Sequence, residues 1–80
     1  MDLRLERVLE ELLDRRRPEA SVCPSEAARA VDPVAWRELM PAARAAAGRL
    51  ADDGRAEVTQ GGEVVDVVTA RGPVRVRRPR

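Results

Sequence analysis

At Gly54 the spacing of hydrophobic residues changes from about 3.6 to about 2, which divides the chain into a helical part and a strand-forming part. Upstream, Leu5, Val8, Leu9, Leu12 and Leu13 recur at i, i+3, i+4, i+7 and i+8, one apolar stripe on a first helix expected over 2–16. Arg4, Glu6, Arg7, Glu10, Glu11 and Asp14 fall on its other faces. Asp2 stands where a cap or first-turn acid belongs, Arg15-Arg16-Arg17 meets the negative end of the helix dipole, and Pro18 blocks continuation. The helix end accounts for those three arginines without a ligand. Downstream, Ala56 and Val58 alternate with Arg55, Glu57 and Thr59, Gln60-Gly61-Gly62-Glu63 reads as a two-glycine hairpin turn, and Val64-Val65 begins a return strand. After the looser segment 66–72, Gly72-Pro73 opens a run in which Val74 and Val76 face inward and Arg75 and Arg77 outward. The antiparallel partner of 55–60 is expected within 64–77, with its register open.

Two further helices fill the space between. Residues 20–23 read as an extended connector; Pro24 fits the first helical position, and Ser25 to Val31 are good helix formers. Glu26 lies three after Cys23, the spacing at which a carboxylate reaches back to the first-turn amides. Asp32-Pro33 repeats the start signal and opens a segment with Trp36, Leu39, Met40, Ala43, Ala46, Ala47 and Leu50 at helical spacing. Pro41 lacks the amide this pattern needs, so the segment should break into a short turn over 33–39 and a main helix over 40–52, ended by Gly54. Trp36, on the apolar stripe, is expected to be the largest core side chain rather than a stacking platform.

Eighty residues make one small domain, expected over 1–77 with a disordered basic tail at 78–80. The hydrophobic 44% is 13 Ala, 11 Val, 7 Leu, 2 Met, one Trp and one Cys, so the core must be small. No apolar stretch is long enough to span a membrane and the N-terminus lacks a secretion pattern, which makes the cytoplasm the expected compartment. Cys23 has no cysteine to pair with and there is no His, so no disulfide, metal or other cofactor is expected. Without His, Tyr or Lys, acid–base work would fall to carboxylates or to Cys23, neither with an evident partner, and an enzyme is not expected.

All 15 basic residues are Arg, against 14 acids, for a net charge of +1. Residues 1–54 carry 9 Arg and 11 acids, whereas 55–80 carry 6 Arg and 3 acids, so the positive end is the C-terminal one. Guanidinium forks match phosphate oxygens in pairs, which suits that end to phosphate contact.

Three helices, a tight turn before the third, and a glycine-turned hairpin form the order of an α+β winged helix-turn-helix: three helices followed by a C-terminal β-hairpin wing. The runs Cys23-Pro24-Ser25-Glu26-Ala27-Ala28-Arg29-Ala30-Val31, Trp36-Arg37-Glu38-Leu39-Met40-Pro41, Asp53-Gly54-Arg55-Ala56-Glu57-Val58-Thr59-Gln60-Gly61-Gly62 and Gly72-Pro73-Val74-Arg75-Val76-Arg77 together resemble the small bacterial family called domain of unknown function 3253. The resemblance spans about 22–77, implies a winged-helix-like order of elements, and brings no activity or site.

Two functions fit that frame. The first is a transcription-related module binding duplex DNA. Arg37, Arg44 and Arg49 on the third helix and Arg71, Arg75 and Arg77 on the wing would contact it, and Pro41, Ala45 and Gly48 would keep the helix surface low. Arg37 and Arg44, seven apart, are expected to point the same way. The second is a protein-interaction or homodimerisation module without nucleic acid, favoured by the small net charge and by Leu3, Leu5, Leu12 and Leu13 on an acidic first helix.

Overall fold

The computed structural model describes residues 3–79. Its first helix, α1 (Arg4–Asp14), buries Leu5, Leu9 and Leu13 and half-buries Val8 and Leu12, the stripe read from spacing. It stops two residues short of the expected end; the N–H groups of Arg15 and Arg16 close its last turn on Glu11 and Leu13. The expected cap, Asp2, lies outside the described residues.

A two-residue strand, β1 (Ser21–Val22), leads into α2 (Pro24–Val31). At the next turn Asp32 Oδ1 accepts the N–H groups of Val34 and Ala35, both at 3.0 Å, so the polar start signal works as an Asx-type cap. The break expected at Pro41 follows: a 3₁₀ turn, Trp36–Leu39, runs into α3 (Met40–Asp52), with the proline in its first turn, where no amide donor is required. Gly54, at φ +72°, ends α3. Arg55 N–H reaches Leu50 O and Gly54 N–H reaches Ala51 O, the paired bonds of a Schellman termination.

Beyond it lie β2 (Glu57–Gln60), β3 (Glu63–Val64) and β4 (Arg75–Arg77) in one antiparallel sheet of order β1-β4-β2-β3. Gly61 and Gly62 both have positive φ, as a two-residue I′ hairpin turn requires, and set Thr59 opposite Val64. That hairpin is brief. The chain leaves through a turn in which Asp66 Oδ1 accepts Val68 N–H, then returns on the other side of β2, pairing Val58 with Val76. The partner of β2 is thus double, and β4 also pairs with β1, Val22 opposite Val76. The expected connector is a strand, and the wing is a long β2–β4 hairpin whose arm contains β3.

Helices and sheet share one core. Leu5, Leu9 and Leu13 meet Ala27 and Ala28 of α2, Ala43, Ala46, Ala47 and Leu50 of α3, and Val22, Ala56, Val58, Val74 and Val76 of the sheet side. Alanines at the helix contacts let the helix axes approach closely, which suits a chain with few large apolar residues. The result is an α+β fold of winged-helix-like arrangement. Trp36 departs from expectation: it is only partly buried, packed against the rim of the core, while the largest fully buried side chains are led by Leu9 and Leu50. It belongs to the 3₁₀ turn rather than to α3, so the helical stripe drawn through 36–50 loses its phase there.

Arg78, placed in the tail by the sequence, reaches Asp14 through Nη2 and Arg55 O through Nη1 at 3.4 Å, so folded contacts continue past 77. Arg80 lies outside the described residues.

Candidate nucleic-acid interface

The face formed by α2, the 3₁₀ turn, α3 and the wing arm is built by polar anchors at its joints. Cys23 N–H donates to Glu26 Oε2 at 2.8 Å, the reach-back bond expected from their spacing, and Arg16 donates to Glu26 Oε1 at 2.6 Å. The Arg16 guanidinium holds the Glu26 carboxyl below the usual carboxylate range; partial burial opposes this and the Cys23 N–H adds to it. The two amides of Val34 and Ala35 likewise lower the Asp32 carboxyl, that of Ala35 most.

The wing arm is fastened to α3 by Arg44. Its Nη1 donates to Gly72 O and its Nη2 to Ala70 O, both at 2.9 Å. Gln60 Nε2 supports the same arm from β2, donating to Arg71 O at 2.5 Å and Pro73 O at 3.1 Å. Gly48 completes the seat, because a Cβ there would lie 2.9 Å from Val67 Cγ1. On either side of Met40 and Arg44 run two open grooves of about 440 and 430 Å³: one bordered by Cys23, Pro24, Pro73 and Val74, the other by Pro41, Ala45, Val67 and Val68.

The six arginines expected to meet DNA therefore have different situations. Arg44 is a strut. Arg49 donates through Nε to Glu6 Oε1 at 2.5 Å, tying α3 to α1. Arg75 donates to Ser21 Oγ and Ser21 O, both at 3.0 Å, across β4 and β1, and Arg77 to Glu57 Oε1 at 2.9 Å across β4 and β2. Arg71 is exposed, and no partner holds its side chain among the described residues. Arg37 is exposed and lies over Trp36, 4.5 Å from the ring centroid. The guanidinium groups of Arg37 and Arg44 go to different partners, and the change from 3₁₀ to α winding lies between the two residues. Sequence spacing missed Arg29, whose guanidinium lies 4.1 Å from the same ring. No periodicity joins positions 29 and 36, since a turn separates them.

Among the described residues, no group of three or more His, Cys, Asp or Glu comes together to hold a metal ion, and no helix is long and apolar enough to cross a membrane. The model of a family described as a protein of unknown function, DUF3253, matches residues 2–79. The chain belongs to the DUF3253 family. The match extends the likeness seen in the motifs of 22–77 across α1, so this DUF3253 chain carries the family's domain over nearly its full length. No curated protein matches it.

Proposed function

We propose that this DUF3253 chain is a non-catalytic module that binds duplex DNA, with α3 and its preceding turn directed to the duplex and the wing arm beside them. What carries the reading is the fastening of the wing arm to α3 by Arg44, which keeps a helix-turn-helix pair and a wing on one continuous face. Arg37 and Arg71, exposed and without carboxylate partners among the described residues, are its phosphate contacts; Arg49, Arg75 and Arg77 keep the scaffold rigid. The exposed residues of α3 include Pro41, Ala42 and Ala45, which offer no hydrogen bonds to base edges, so binding is expected to be mainly to the backbone and weakly sequence-dependent. Titrating a labelled random duplex with the chain at several salt concentrations tests this. Binding with a log–log salt slope of about −2 to −3 is expected; absence of binding at about 50 mM salt removes the reading.

A second reading has its own support. Val68 is 87% exposed beside the groove lined by Met40, Pro41, Ala45 and Val67, an apolar surface suited to another protein or to a second copy of this chain. Sedimentation at tens of micromolar tests the homodimer, which a clean monomer excludes.

A further inference from the structure

Two like charges share one aromatic ring at the turn between α2 and α3. The guanidinium carbons of Arg29, in the last turn of α2, and Arg37, in the 3₁₀ turn, lie 4.1 and 4.5 Å from the ring centroid of Trp36. The charges are therefore held within about 9 Å of each other. Five arginines elsewhere in the fold, Arg16, Arg49, Arg55, Arg77 and Arg78, pair with carboxylates. Arg29 and Arg37 do not, among the described residues, although Glu38 is adjacent in sequence. Both are exposed.

Stacking determines what remains available. A guanidinium lying on an indole uses its π face, while its N–H donors point outward in the plane of the group, in the fork that matches two oxygens of a phosphate. The ring restrains two long side chains before any ligand arrives, so less side-chain entropy is lost on binding. In a helix-turn-helix the helix before the recognition helix crosses the phosphate backbone, and Arg29 belongs to that helix, α2.

We propose that Arg29, Trp36 and Arg37 form a phosphodiester site that grips the nucleic-acid backbone beside α3. The inference rests on the duplex-binding reading and adds to it the residues that do the gripping. Trp36, the only aromatic residue of the chain, reports on the site directly through its fluorescence.

The test compares the unaltered chain, the variant carrying Arg29→Gln and Arg37→Gln, and a control carrying Arg7→Gln and Arg17→Gln, which removes the same charge from exposed positions in α1 and just beyond it. Each is titrated with a random duplex across about 50–200 mM salt while Trp36 emission is followed. The unaltered chain should show an emission change that saturates with binding. The Arg29 and Arg37 variant should lose about tenfold or more in affinity and about 2 units of salt slope, with each single variant losing about half of that slope, while the control keeps both nearly intact. Equal losses in control and test variants, or an unchanged slope in the test variant, overturn the site but leave duplex binding standing. No binding by the unaltered chain overturns duplex binding and the site with it.

Discussion

Glu26 serves two structural demands with one carboxylate: Oε2 accepts the Cys23 amide at the start of α2, and Oε1 accepts the Arg16 guanidinium from beyond the end of α1. Because its folded pKa lies below its ordinary value, its contribution is fully present above the unfolded pKa and is lost as pH falls through the folded one. Urea midpoints of the unaltered chain should therefore drop as pH falls from about 5 to about 3. In Glu26→Gln the amide oxygen can still accept from the Cys23 N–H, but the charge that binds Arg16 is gone. The variant should be less stable at pH 7 and show a shallower acid limb; parallel limbs would show that the Arg16 pair contributes nothing to pH dependence. Spacing alone made the Cys23–Glu26 bond legible, since it is local. The Arg16 partner was not, because it depends on the angle at which α1 meets α2.

At the scale of elements, the wing arm is held by contacts that substitution can separate. Gly48→Ala sets a methyl against Val67, and Arg44→Ala leaves the carbonyls of Ala70 and Gly72 without their donor. Arg44→Ala should cost about 1 kcal/mol of global stability, whereas in Gly48→Ala a helix-propensity gain of about 1 kcal/mol offsets the clash; in both, amide exchange over 66–73 should rise well before that of α1 or β2. Uniform protection across the chain would show the arm to be as firmly held as the core. Arg44 also separates a strut from a phosphate contact: if it only positions the wing, Arg44→Ala weakens duplex binding while keeping the salt slope, since no phosphate partner is removed. The elements that could be read from the chain were those announced by local chemistry, namely the leucine stripe of α1, the Asp32-Pro33 start, the break at Pro41 and the Gly61-Gly62 turn. What could not be read was pairing at a distance. β1 is too short to show a period, and β2 lies between β3 and β4 because the segment 65–74 folds back, a route that no two-residue alternation encodes. The candidate arginines illustrate the same boundary: the exposure of Arg75 was inferable from alternation, but its capture by Ser21 and that of Arg49 by Glu6 needed the assembled sheet and helices.

The whole molecule rests on a single cluster to which α1, α2, α3 and the sheet all contribute, and none of its buried side chains is larger than leucine. A chain of this length has a total stability of roughly 4–12 kcal/mol. Leu9 is fully buried on α1, so Leu9→Ala should remove about 2–5 kcal/mol, a large share of that total and enough to move the urea midpoint well down. Ion pairs along the same helix will not compensate. Glu6 with Arg49, Glu10 with Arg55 and Asp14 with Arg78 join α1 to α3, to the segment after it and to the chain end, but such partly exposed pairs contribute about 0–1 kcal/mol each and weaken in salt. Because helices and strands share one core, they should unfold together. Far-ultraviolet ellipticity, which follows all the helices, and Trp36 emission, which follows the α2–α3 turn, should give coincident urea transitions in the unaltered chain and in Leu9→Ala, displaced in midpoint with the same slope. A Trp36 transition that precedes the ellipticity change would instead mean that the turn opens on its own. The stacked arginines would then sit on a mobile segment, and the restraint on which the phosphodiester site depends would be lost.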